Sequence, residues 1–144
     1  MKKALIIIFI IFLCIILTLF VALKNLEAQE RENSSYNLVY EQYLNKEIYG
    51  TEIATLINKA VNNNEKYEVS KDENGFYISD NENSILILIH ITINDTIYPM
   101  ETIYKHDTSS FVQNFNSILF KSDEVEYHKS TGKIAKSVFK QVEE

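Results

Sequence analysis

Hydrophobic positions fall into three regimes along the chain, and the first is unbroken. From Ala4 to Leu23 only Ala4, Cys14, Thr18 and Ala22 depart from Leu, Ile, Phe or Val, and no charge interrupts the run. At about 1.5 Å per residue a helix of this length crosses the ~30 Å hydrocarbon core of a bilayer. Its large apolar side chains favour insertion by roughly 5 to 10 kcal/mol. The run exceeds the ~7 to 15 apolar residues of a cleaved signal peptide, and no A-x-A site closes it. Phe12 and Leu13, not small residues, precede Cys14, which argues against a lipoprotein. The pattern predicts a transmembrane anchor whose partner is the lipid bilayer.

The second regime has helical spacing. Neither Gly nor Pro occurs between Leu23 and Gly50, so the anchor helix has no reason to stop at the membrane surface. Leu26 to Asn33 is polar and helix-compatible, and Tyr36, Val39, Tyr40, Tyr43 and Leu44 then recur at the three and four spacing of one face. Gly50 is expected to end that helix, and Thr51 to cap a second. Ile53, Leu56, Ile57, Ala60 and Val61 share one side of the second helix, which is expected to end in Asn62-Asn63-Asn64.

From Tyr67 onward the period changes from 3.6 to 2, which predicts strands. Tyr67 to Ser70 and Phe76 to Ser79 flank the turn residues Asp72-Glu73-Asn74-Gly75 and read as a short hairpin. Ser84 to Ile93 alternates strictly, with Ile85, Ile87, Ile89, Ile91 and Ile93 on one face. A two-residue turn at Asn94-Asp95 would pair Ile91 with Tyr98, Ile89 with Met100, Ile87 with Thr102 and Ile85 with Tyr104. It would put Pro99 opposite His90, at a bulge or a sheet edge, because proline cannot donate to a ladder. Phe111, Val112, Phe115, Ile118 and Leu119 return to helical spacing behind the cap candidates Asp107 to Ser110. Glu124 to His128 and Lys133 to Val142 close the chain as a hairpin in which Gly132 supplies the left-handed turn residue and Glu126 faces Lys136. Val125 and Tyr127 then face Ala135 and Ser137 on the core side, and the helix around Phe111 or the one around Ile57 is expected to cover Leu86 and Leu88.

The fold class expected is α+β: a transmembrane helix running into an amphipathic helix, a second short helix, then an antiparallel sheet of hairpins with one helix inserted. The organisation expected is a cytoplasmic stub and anchor over 1–24, a juxtamembrane connector over 25–35, and one extracytoplasmic domain over 36–144.

Charge sharpens this picture. The chain holds 14 Lys plus Arg against 20 Asp plus Glu. Lys2 and Lys3 precede the anchor, so the remainder carries 12 basic against 20 acidic residues, a net −8. An acidic domain argues against a nucleic-acid partner, whose phosphates attract Lys and Arg clusters. The positive-inside rule places Met1-Lys2-Lys3 in the cytoplasm and the domain outside, since Lys24 and Arg31 on the other flank are mixed with Glu27, Glu30 and Glu32. The lone Cys14 lies inside the anchor, so no intramolecular disulfide forms, which suits a Gram-positive cell surface.

Candidate chemistry is sparse. His90, His106 and His128 lack the short spacing of a metal motif. Asp72-Glu73 and Asp80 to Glu82 sit in turn-like clusters where Asp and Asn serve the backbone. No phosphate-binding glycine loop or nucleophile elbow occurs. The expectation is no catalytic residue, no metal and no cofactor. Tyr36, Tyr40 and Tyr43 stripe one helix and read chiefly as a core face. They are also the possible interface, because tyrosine presents a large contact area at modest entropy cost.

The order of elements, a short basic start, an apolar helix running on into an amphipathic one and then a sheet, resembles the layout of type IV pilin-like proteins. The segment Tyr40 to Asn64, with Gly50-Thr51-Glu52-Ile53 leading a helix that ends in Asn, is similar to small single-pass surface proteins of Gram-positive bacteria with no assigned activity. The function expected is a membrane-anchored binding or scaffolding module that engages an envelope protein. The pilin resemblance implies, as an alternative, a subunit of a surface filament or secretion apparatus.

Overall fold

The computed structural model describes residues 2–143. Two compact units divide the chain, Met1–Ser35 and Tyr36–Glu144. The first belongs to helix α1 (Lys2–Glu41), whose apolar side chains from Leu5 to Leu23 are exposed. This helix is long and apolar enough to cross a membrane.

The second unit is α+β, as the change of period predicts. After α1 come β1 (Glu47–Tyr49), α2 (Gly50–Lys66), β2 (Leu86–Ile91), β3 (Thr96–Pro99), α3 (Met100–Lys105), α4 (Thr108–Phe115), β4 (Leu119–Tyr127) and β5 (Ile134–Gln141). The five strands form one sheet in the order β1-β4-β5-β2-β3. Three ladders are antiparallel and the fourth, β2 with β5, is parallel, so the sheet is mixed and not composed of hairpins alone.

One face of the sheet carries the core. Ile87 and Ile89 stand beside Ser137 and Phe139, and Ile48 stands beside Phe120. All six are buried, together with Ile53, Leu56, Ile57 and Ala60 of α2 and with Tyr40, Tyr43 and Leu44. A fully buried Ile or Phe contributes about 1.5 to 3 kcal/mol relative to its exposed state, so this layer dominates the unit's stability. The other face bears Lys121, Lys136, Lys140 and His90 with the half-buried Leu86 and Leu88. These leucines lie opposite the isoleucine row that packs with the helices, which corrects the expectation that a helix covers them.

Several boundaries differ from the periodic reading, each for a local reason. Gly50 does not end the tyrosine helix; α1 stops at Glu41, the short β1 intervenes, and Gly50 opens α2 behind the N-cap Tyr49. Glycine is required there by a close approach, since a Cβ would lie 2.1 Å from the Phe115 carbonyl oxygen. Helix α2 runs through the asparagines to Lys66. The segment 67–79 holds one bridge, Lys71 with Tyr77, instead of a full hairpin, because Asp72 bonds the Asn74 and Phe76 amides and curls the loop on itself.

The β2–β3 connection is longer than two residues. Thr92–Asn94 forms a 3-10 turn and Asp95 takes φ 49, so Ile91 pairs with Thr96 and Ile89 with Tyr98. The register moves by two, which keeps the expected faces but turns Ile93 out to 83% exposure. Pro99 faces Leu88 on the edge strand, ends the ladder and caps α3. Met100, Thr102 and Tyr104 are therefore helical and do not continue the strand. At the far end Leu119 begins β4 instead of extending the helix that ends at Phe115. Glu126 faces Lys136 and Val125 faces Ser137, while an irregularity pairs Tyr127 with Ile134 and leaves Tyr127 exposed.

Candidate functional site

Where β2 ends, the 3-10 turn, the α3–α4 corner and the body of α4 enclose a cleft of about 310 Å³. Its apolar floor comes from Ile91, Ile103, Phe111 and Phe115. The two phenylalanines are stacked with ring centres 4.8 Å apart. Helix α4 holds them there because Asp107, at φ 72, caps its first turn by accepting from the Ser109 amide at 3.0 Å and from the Ser109 hydroxyl. Those Ser109 bonds hold the Asp107 carboxyl below its ordinary value.

The rim of the cleft is polar. Asn94 Nδ2 donates to the Tyr98 hydroxyl oxygen at 3.2 Å, which leaves the Tyr98 proton available to another acceptor. Thr102, His106 and Ser110 also line the rim. A pocket near 300 Å³ with an apolar floor and a few convergent polar groups is at the small end of ligand sites.

A second polar cluster lies at the opposite end of the sheet, where β2 and β5 begin. Asn64 is fully buried; its Nδ2 donates to the Ile85 carbonyl at 2.8 Å, and its Oδ1 accepts from the Ile85 amide at 2.9 Å. Asn37 repeats this on the other strand, accepting from the Ile134 amide and donating to the Gly132 carbonyl, both at 2.9 Å. The buried Lys133 ammonium donates to Asn83 Oδ1 at 2.7 Å and lies 5.2 Å from the Tyr36 ring centre. This cluster satisfies backbone groups of both strands from within, which marks it as structural.

The histidines are separated. His90 donates to Asp95 across the β2–β3 turn at 2.7 Å, His128 donates to the Ser84 carbonyl at 2.8 Å, and His106 sits on the cleft rim. Among the described residues no group of three or more His, Cys, Asp or Glu side chains is arranged to hold a metal ion.

Of the three tyrosines singled out in the sequence, Tyr40 and Tyr43 are buried and Tyr36 is half-buried. The Tyr36 and Tyr40 rings tilt against each other with centres 5.1 Å apart, and Lys59 donates to the Tyr43 hydroxyl at 3.0 Å. Burial is the main cause that raises the Tyr36 and Tyr40 phenols above their ordinary values; Tyr40 and Tyr67 add to it at Tyr36, and Tyr67 adds to it at Tyr40, where the Tyr36 hydrogen bond works the other way.

The cleft escaped sequence reading because its walls come from a loop, a helix corner and one strand end, which share no period. The available signals were the Asn94-Asp95 pair and the cap cluster Asp107 to Ser110, both read as backbone devices. No protein-family model matches the chain, and neither a curated protein nor a solved structure matches it.

Proposed function

We propose that the chain is a single-pass membrane protein whose folded unit, outside the cytoplasm, binds or scaffolds another envelope component without catalysing a reaction. The observation that carries this reading is the exposed apolar surface of α1 from Leu5 to Leu23, which lipid would cover. Orientation rests on Lys2 and Lys3 before the run; on the other flank Lys24 is paired with Glu27 at 2.9 Å. The binding role rests on the cleft at the end of β2. Protease added to intact cells is expected to remove the folded unit and leave a fragment of the first thirty or so residues. Full protection of the unit would overturn the orientation.

A pilin-like subunit is the second reading, favoured by the continuity of α1 from the apolar run into the tyrosine segment, Lys2–Glu41 as one helix. Here Lys3-Ala4 stands where a prepilin has a small residue, usually Gly, before its cleavage point, and no acid precedes Glu27. Mass spectrometry of the membrane-fraction protein separates the two. A simple anchor retains Met1 to Lys3, and a processed subunit begins just after Lys3 or Ala4.

A further inference from the structure

We propose that the cleft between the β2–β3 turn and α4 binds a small uncharged ligand with an aromatic body and an adjacent carbonyl acceptor. The inference deepens the binding role above and rests on it.

The body of the ligand follows from the floor. Ile91 and Ile103 are buried, and the Phe111–Phe115 stack offers one flat apolar surface beside them. A cleft of about 310 Å³ accommodates one ring with a short substituent. Aromatic rings gain beyond simple area burial by offset or tilted contact with such a surface.

The charge class follows from the rim. Among the described residues no lysine or arginine lines the cleft, and the one basic group a carboxylate or phosphate meets there is the His106 imidazole on the rim. The one acid, Asp107, is held ionised, and both its oxygens are engaged by Ser109. It therefore repels anions, and because it is exposed and already hydrogen-bonded to Ser109, an ion pair with an added ammonium is screened by water and contributes little. What remains is an excess of hydroxyl donors. Tyr98 accepts from Asn94 and has its own proton to give, and the Thr102 and Ser110 hydroxyls make no hydrogen bond among the described residues. A ligand that supplies carbonyl oxygen acceptors takes up their protons, which one that supplies only donors leaves unused.

Such chemistry occurs in free aromatic amides and in an aromatic residue of a polypeptide, where the ring lies beside two amide carbonyls. Benzamide represents the first source and N-acetyl-phenylalaninamide the second. The full chain, in lipid nanodiscs and labelled at isoleucine methyl groups, is titrated with each, and with benzoate and benzylamine as charged counterparts. Saturable shifts of the Ile91 and Ile103 methyls are expected with either amide, while Ile53 and Ile57 stay still. Tighter binding of N-acetyl-phenylalaninamide assigns the polypeptide source, and tighter binding of benzamide assigns the free one.

Tyr98→Phe, with methyl dispersion unchanged, is expected to weaken the amide about three- to tenfold, the range for one lost hydrogen bond. Benzoate or benzylamine binding more tightly than both amides would overturn the charge class. Saturable shifts confined to methyls outside the cleft would overturn this site and leave a binding role elsewhere on the unit. The absence of saturable shifts with all four probes would overturn the proposal, while the protease test of membrane orientation would stand apart from it.

Discussion

Asn64 takes the place of a neighbouring strand at Ile85. Its carboxamide gives one hydrogen bond to the Ile85 carbonyl and receives one from the Ile85 amide, at 2.8 and 2.9 Å, inside a fully buried setting. Replacing it by Leu keeps the γ-branched shape and removes both partners from a buried backbone unit. Each orphaned group costs about 1 to 3 kcal/mol. Asn64→Leu is therefore expected to lower unfolding stability by roughly 2 to 4 kcal/mol, measured by urea denaturation. A loss under 0.5 kcal/mol would show that Ile85 finds other partners.

Gly50→Ala tests the contact between α2 and α4. The added methyl meets a backbone carbonyl, which cannot rotate away as a flexible side chain would, so one helix must move. A cost of about 1 to 3 kcal/mol is expected from overpacking. The Gly50 amide also donates to the Ile118 carbonyl at 3.1 Å, so displacement disturbs the junction into β4 as well. Equilibrium unfolding of the variant measures the loss; wild-type stability would mean that the helices separate at no cost.

The pair Glu126 and Lys136, 2.6 Å apart, governs part of the acid response. The Lys136 hydrogen bond, with its charge, holds the Glu126 carboxyl below its ordinary 4.5. The unfolded chain binds that proton more readily, so the stabilisation is present above the ordinary value and disappears as pH falls through the folded one. The Glu126 carboxylate in turn raises Lys136, so on the alkaline side the same interaction persists through neutral pH and is lost as pH rises through the folded lysine's value. Lys136→Gln is expected to destabilise slightly at neutral pH and to converge with wild type in acid, with the gap shrinking at high salt because both groups are solvated. Thermal melts of the two proteins across pH 3 to 7 would refute this if the gap widened in acid.

Truncation tests what the tyrosine segment does. A chain beginning at Ser34 keeps Tyr40, Tyr43, Leu44 and Ile48 in the core, and is expected to be a folded monomer by sedimentation. A chain beginning at Gly50 loses all four together with β1, which leaves the edge of β4 unpaired, and is expected to aggregate. The reverse outcome, a stable monomer from Gly50 and oligomers from Ser34, would make the tyrosine face an assembly surface and favour the filament reading.

Much of this unit was legible from local pattern. The isoleucine alternation from Ile85 to Ile91, the burial of Tyr40, Tyr43 and Leu44, and the facing of Glu126 and Lys136 around Gly132 all follow from side-chain period and turn chemistry, although α1 ends at Glu41 and Tyr43 and Leu44 reach the core from the turn behind it. What was not legible depends on contacts distant in sequence. β1 has three residues, too few to show a period, and exists because β4 pairs with it. The parallel pairing of β2 with β5 has no connecting turn to announce it, since 42 residues separate Ile91 from Ile134. Pro99, expected at a bulge or a sheet edge, does stand on the edge strand, but local pattern does not show that its missing amide ends the ladder there and that its φ suits the start of α3. The cleft inherits these non-local features, because Tyr98 enters it from β3 and Thr102 from the helix that starts once the strand stops at Pro99.

The placement of β5 also sets how the folded unit would bear tension. Tyr36 and Asn37 enter the unit beside Ile134, where β5 begins, and Val142 leaves it where β5 ends. A pull between these points runs along β5, which lies between β4 and β2. The ladders on both sides are then loaded together in shear, not opened one bond at a time as a peeled edge strand would be. The eight residues of β5 extend about 26 Å between its neighbours. A unit held at one end and engaged at its C-terminal end would yield only by breaking both ladders at once.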